Sequence, residues 1–283
     1  MDHLAQRTRN GMAFGVDPTR TQFYSLRQAR YDALATSINE MSAQFAAQGK
    51  RLKLMDIGVH NGTMLRHLEH RSARQNIDYS IADMEIGPVY GLKSVDEIFI
   101  GDLTRGYPDI PSNGYDVVIC EQVLEHITTL ETPIRTLERI TRPGGYLFAG
   151  VPAFPHGIHK VREVAQPTWD RYFPPGKIRG HVQSFSTQKF LRLFKELTKL
   201  EPVGVRGFRF ISGGPLRALE EYQWWWRLSQ TVGRTMPSIC TEIQVQFRKP
   251  MTAANDCQLA ASHSSPFGSN GVAEHRATAP VGE

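Results

Sequence analysis

The chain has few cysteines, no long apolar run and no dense cluster of one charge. Its three cysteines, Cys120, Cys240 and Cys257, stand far apart. That spacing excludes a disulfide framework and the paired ligands of a zinc ribbon, and it suits a reducing compartment. No stretch approaches the length of apolar residues that spans a bilayer. The first ten residues, MDHLAQRTRN, lack the apolar segment of a secretory signal. The expectation is a cytoplasmic protein without a transmembrane segment. The net charge is +5, from 33 basic and 28 acidic residues, with no stripe of Lys and Arg. No nucleic-acid partner is therefore expected. The phosphate-cradling pattern G-x-G-x-x-G is also missing, which counts against a nicotinamide-dependent oxidoreductase.

What is present is a chain of 283 residues, 40% of them apolar, long enough for one sizeable α/β domain with additions. Leu26, Leu34, Ile38, Met41 and Phe45 recur at helical spacing before Gly49. RLKLMDI (51–57) then reads as a short buried strand, and Gly62 opens a helix. IDYSIAD (77–83), EIFIGDL (97–103) and YDVVIC (115–120) read as three further strands. Thr132 and Pro133 look like an N-cap and first-turn pair for a helix with Ile134, Leu137 and Ile140. RPGG leads into YLFAGVP (146–152), a fifth strand. Ser186 looks like the N-cap of a helix carrying Phe190, Leu193, Phe194 and Leu197. EPVGVRGFRFISG and CTEIQVQFRKP alternate like strands, with a helix between them. Strands that are apolar throughout and separated by helices imply a parallel sheet covered on both faces. The expected fold is α/β: a doubly wound, mostly parallel, seven-stranded sheet. The expected organisation is an extension over 1–24, a domain over 25–250 and a disordered tail over 251–283, which is rich in Ala, Ser, Gly and Pro. Segments 153–185 and 214–236 are expected as insertions on the acceptor side or for packing.

In doubly wound folds, ligands bind beyond the carboxyl ends of the strands. Asp56, Asp83, Asp102 and Glu121 each stand at such an end. In LMDIGVHNG (54–62), Asp56 precedes Gly58 and Gly62, a strand-to-helix turn that lets backbone approach a ligand. An acid there suits a positively charged amino-acid moiety better than a pyrophosphate. With these motifs in order, residues 50 to 250 resemble the class I S-adenosylmethionine-dependent methyltransferases, a Rossmann-like fold. Asp56, Gly58 and Gly62 match the family's first motif, D/E-x-G-x-G-x-G, with His60 replacing the middle glycine. YDVVICEQVLEHI resembles the fourth motif, and ITRPGGYLFAGVP and GHVQSFSTQKFLRLF resemble the segments that follow it.

The resemblance implies S-adenosyl-L-methionine as cofactor. Asp56, Gly58 and Gly62 would hold its methionine end, Asp83 the ribose, and Asp102 with Leu103 the adenine. Glu121 completes the implied cofactor set, and Glu85 competes with Asp83. The implied activity is methyl transfer to a small-molecule, sugar or lipid-linked acceptor, with oxygen favoured. Binding without turnover is the alternative. His126, His156 and His159 are candidate bases, and His181 is a weaker one. Related ubiquinone-pathway enzymes carry E-x-x-E-H with a divalent metal. Here Gln122 stands where the first acid belongs, and no metal site is expected. The fourth motif lacks N/D-P-P-Y, which sets aside amino-methylation of nucleic-acid bases. In EYQWWWRLSQ, three neighbouring tryptophans cannot share one helix face, so at least one is expected to be exposed. Trp169, Arg171, Tyr172 and Phe173 are expected in a lid or acceptor-site insertion.

Overall fold

The structure is a computed structural model; it describes residues 26–70, 73–155, 182–210, 219 and 222–251. The chain divides into Met1–Pro250 and Met251–Glu283, and the elements below belong to the first unit. In chain order they are α1 (Leu26–Ala47), β1 (Leu52–Ile57), α2 (Thr63–His70), β2 (Ile77–Asp83), β3 (Glu97–Ile100) and β4 (Tyr115–Glu121). There follow α3 (Glu131–Ile140), β5 (Thr141–Pro152), α4 (Thr187–Leu197), β6 (Glu201–Phe210), α5 (Gln223–Thr235) and β7 (Cys240–Arg248).

The seven strands form one sheet in the order β3-β2-β1-β4-β5-β7-β6. The pairs β1–β2, β1–β4, β2–β3 and β4–β5 are parallel, and β7 runs antiparallel to both β5 and β6. The expected doubly wound, mostly parallel sheet is thus observed, with an antiparallel hairpin at one edge. Alternate residues of the central strands enter two different cores. Leu52 and Leu54 of β1 and Val117 and Ile119 of β4 pack with Leu34 and Ile38 of α1 and Leu65 of α2. Met55, Ile57, Val118 and Cys120 pack on the other face with Leu137 of α3 and Phe190 of α4. Strands covered on both faces have no polar face to show, which is why they read as continuous apolar runs. Successive strands leave β1 toward one edge and β4 toward the other. The switch point therefore lies between β1 and β4, where such sheets leave a crevice.

Two local expectations are corrected. The third strand ends at Ile100, and Asp102 instead caps a 3₁₀ turn, Leu103–Arg105, by accepting from Thr104 N at 2.8 Å. β3 is an edge strand whose pairing stops where Asp83 meets Ile100, so nothing extends it further. α3 starts at Glu131 with Leu130 in the cap position and no side-chain cap, which places Thr132 inside the first turn. His126 closes a 3₁₀ turn, Leu124–His126, ahead of α3. Ser186 does cap α4, its Oγ accepting from Lys189 N at 3.2 Å. The tryptophans divide as helix geometry requires. Trp225 is buried with its ring 6.0 Å from that of Phe210, whereas Trp224 is 56% exposed.

Candidate functional site

The turn after β1 is shaped by backbone that side chains disfavour. Gly58 has φ +79 and donates to Ala82 O at 2.8 Å. A Cβ at that position would lie 2.2 Å from Val123 Cγ2. Gly62 has φ +76, and a Cβ there would lie 2.7 Å from Tyr90 O. Both positions demand glycine for conformation and for space. His60, between them, also has positive φ, 50°. A histidine adopts that region at a cost that glycine avoids. Its side chain is exposed, and its backbone N–H donates to Asp83 Oδ2 at 3.2 Å. The turn is thereby tied to the end of β2.

Asp83 also accepts from Met84 N, through Oδ1 at 2.7 Å. Each oxygen keeps a further lone pair. Asp102 is held below the usual carboxylate range by its hydrogen bonds from Thr104. Asp56 is different. It is 4% exposed, accepts the Tyr79 hydroxyl, and is pushed up to about 6 by burial.

Beyond β4 the side chains form a buried polar cluster. Glu121 Oε1 accepts from Gln244 Nε2 at 2.8 Å, and its Oε2 lies 3.3 Å from Arg30 Nε. Arg30 donates through Nη1 to Glu242 Oε2 at 2.7 Å, and Arg209 donates to the other oxygen of Glu242 at 2.7 Å. Gly150 of β5 stands opposite Glu121, and any side chain there would overlap the carboxyl. Burial pushes Glu121 up to about 7 despite the neighbouring Arg30. Glu125, on the turn after β4, is 1% exposed and pushed by burial to about 8. Apart from its own backbone N–H, neither of its carboxyl oxygens has a hydrogen-bond partner.

A cavity of about 760 Å³ opens at the switch point between these two groups of residues. Gly58, His60, Asp83, Asp102 and Leu103 line one part of its wall. Arg30, Tyr31, Glu121, Gln122, Glu125 and His126 line another. Of the residues expected from sequence, Asp56 and Gly62 are not part of the wall. His156, His159 and His181 lie outside the described residues, as do Trp169, Arg171, Tyr172 and Phe173. Sequence reasoning missed Arg30 and Tyr31. A signal existed for Arg30: it falls in line, at intervals of four, with the buried Leu34 and Ile38, where a charge needs a buried partner. Among the described residues no three His, Cys, Asp or Glu side chains are arranged to hold a metal ion.

A family model described as a methyltransferase domain matches residues 26–197, more than half of the chain. The chain belongs to this methyltransferase domain family. Its relatives include the ubiquinone biosynthesis O-methyltransferase of Pseudomonas aeruginosa, 26% identical over 167 residues, covering 50% of this chain and 71% of that one. That of Pectobacterium atrosepticum is 24% identical over 98 residues, 34% of this chain and 41% of the relative. A highly reducing polyketide synthase of Aspergillus terreus is 25% identical over 146 residues, 48% of this chain but 6% of that protein. The chain thus spans less than half of these last two relatives. Among solved structures, the [4+2]-cyclase SpnF superposes with a TM-score of 0.52 at 15% identity, covering 88% of this chain and 94% of that one. A candidate sarcosine dimethylglycine methyltransferase from Galdieria sulphuraria gives 0.50 at 18%, covering 79% and 86%. The two solved structures share the fold of this chain.

Proposed function

We propose that this methyltransferase domain transfers a methyl group from S-adenosyl-L-methionine to a small-molecule, sugar or lipid-linked acceptor, at oxygen. The observation that carries the reading is the 760 Å³ cavity at the switch point, with strand-end acids on one part of its wall and a polar cluster on another. Its volume is within the range of small-molecule sites. The residues present fit the cofactor. Asp83 and Asp102 each keep carboxylate lone pairs on the cavity wall, as ribose hydroxyls and an adenine amino group require. The Gly58 turn brings backbone up to the same space without a side chain. When bound, the cofactor supplies a methyl group on positively charged sulfur. Glu121, fixed by Gln244 and Arg30, places negative charge beside that end, and buried Asp56 adds to it from behind the wall. The main contribution of the protein is to hold acceptor and methyl in line, worth at best about 7–11 kcal/mol of barrier. His126 reaches the wall of the acceptor part and is a candidate to orient the acceptor there. His156 and His159 remain candidate bases in the segment that follows β5.

Calorimetric titration with S-adenosylmethionine, S-adenosylhomocysteine and NAD tests the reading. Micromolar binding of the first two and none of NAD is expected. Asp83→Ala should weaken that binding by about 1–3 kcal/mol. A folded protein that ignores both sulfur compounds would overturn the assignment. A second reading, binding without turnover, draws support from SpnF, a neighbour of this fold that is named a cyclase. Product formation from a labelled methyl donor separates the two.

A further inference from the structure

Among the described residues, the buried carboxyl oxygens without a hydrogen-bond partner on another residue are Glu121 Oε2 and both oxygens of Glu125. Buried polar groups are ordinarily paired, so such an exception calls for a reason. For Glu121 the reason is visible, since Arg30 Nε lies 3.3 Å away. For Glu125 it is not. The two nearby guanidinium groups are engaged elsewhere, Arg30 with Glu242 and Glu121, and Arg209 with Glu242. The groups facing Glu125 are Arg30 from α1, Glu121 from β4 and Glu242 from β7. On its own turn, His126 Nε2 lies 4.0 Å away, beyond hydrogen-bond reach.

Glu125 is nevertheless held firmly. Its backbone carbonyl accepts from Val182 N at 2.9 Å and from Gln183 N at 3.0 Å. Its side chain lines the cavity. Gln122 lines it too, with φ 58 and a buried Nε2 that lacks a partner. Strained backbone and unpartnered polar atoms thus gather on one short segment facing one space. Both oxygens of Glu125 call for a donor, and the cavity is the side from which one can come.

Building on the methyl-transfer reading above, we propose that Glu125 receives the proton of the methyl acceptor, whose reacting atom is a hydroxyl oxygen hydrogen-bonded to this carboxyl. The acceptor lone pair forms the bond to the methyl carbon, and the carbon–sulfur bond breaks with its electrons passing to sulfur. The acceptor proton passes to the Glu125 carboxylate. The positive charge of the sulfonium and the negative charge of the carboxylate disappear together. Burial, which moves this carboxyl to about 8, makes it a better proton acceptor than an ordinary glutamate. Gln122 Nε2 then has the acceptor's own oxygen or a substituent to donate to.

The test uses the full chain saturated with S-adenosylhomocysteine and labelled with carbon-13 at its glutamate carboxyls. NMR titration should show a resonance with a midpoint well above the ordinary glutamate range, absent in Glu125→Gln. In parallel, labelled S-adenosylmethionine is offered with a panel of phenols and alcohols. Glu125→Gln should keep its affinity for S-adenosylmethionine, lower kcat by about 10²–10⁴ and lose the acid limb of the pH profile, the fall in rate as the carboxylate takes up a proton, with Glu125→Asp partly restoring both. An ordinary carboxyl midpoint or an undiminished rate in Glu125→Gln overturns the proposal alone, whereas no turnover with any member of the panel overturns it together with the methyl-transfer reading. Wild-type protein that binds no S-adenosylmethionine overturns the methyl-transfer reading, and the proposal with it.

Discussion

Substituting Gly58 by alanine probes the turn that brings backbone to the cavity, and its cost separates into two parts. At φ +79 an L-residue in place of glycine costs about 1–2 kcal/mol from backbone strain. The added methyl would sit 2.2 Å from Val123 Cγ2, far inside the roughly 3.5–4.0 Å of a normal carbon contact. Relieving that overlap costs about 1–3 kcal/mol. Gly58→Ala should therefore destabilise by about 2–5 kcal/mol. Val123→Ala alone, which trims a half-buried side chain, should cost about 1 kcal/mol. In the double variant the atom of residue 123 nearest the new methyl is Cβ at 3.6 Å, an ordinary contact. The overlap vanishes and the backbone strain remains. Urea unfolding followed by circular dichroism should then show a favourable coupling of about 1–3 kcal/mol between the two sites. Both residues line the cavity, so titration with S-adenosylmethionine should show Gly58→Ala binding weakly and the double variant regaining part of the loss. Additive effects, or a neutral Gly58→Ala, would refute this account of why glycine stands there.

Three other outcomes are open to measurement. Burial holds Glu125 at about 8 against an ordinary 4.5, so the folded chain keeps a proton that the unfolded chain releases in between. Stability from this group is complete below pH 4.5 and is lost as pH rises to 8; Glu125→Gln should gain about 2–5 kcal/mol on wild type between pH 5 and pH 9, and a difference independent of pH would contradict the assignment. Tyr79→Phe removes the hydroxyl that Asp56 accepts and should cost about 1–3 kcal/mol. The loss should be larger at pH 8 than at pH 5 because Asp56, held near 6, is then ionised; equal losses at the two pH values would show that the pair is not what matters. Ser186→Ala should lower the unfolding free energy by about 0.5–2 kcal/mol through the cap of α4, whereas Thr132→Ala should leave the start of α3 intact.

Much of the sheet was legible because its strands are buried on both faces. β2 carries apolar residues on both sides and ends at Asp83 where the pattern stops. β3 was harder to bound, because Ile98 and Ile100 are exposed on an edge strand and apolar character there does not report burial. Thr132 looked like a cap because Thr-Pro ahead of an apolar series is a helix-start signal, yet that series does not reveal that α3 begins two residues earlier. The cavity wall was legible where motif residues stand at or just past a strand end, at Gly58, Asp83 and Glu121, and less so at Asp102, two residues beyond β3. It was not legible where function depends on which groups meet across the fold. Asp56 heads the first motif, but its carboxyl turns to Tyr79 in the core. Nothing in the order of residues says that Arg30 from α1 lies against Glu242 from β7.

The cluster behind the cavity explains why Glu125, rather than either neighbouring glutamate, is left for chemistry. Three carboxyls, on Glu121, Glu125 and Glu242, share the influence of Arg30. Two guanidinium groups cannot neutralise three buried carboxylates, and a third charge in low dielectric is expensive unless it holds a proton. Geometry settles which one holds it. Glu242 has a guanidinium nitrogen at 2.7 Å on each oxygen, and Glu121 has Gln244 on one oxygen and Arg30 beside the other. Glu125, with no other residue within hydrogen-bond reach of either oxygen, is the carboxyl that the folded chain most readily leaves protonated. It is also on the cavity wall. A group in that position can change its proton without disturbing the pairs that fix the ends of β4 and β7.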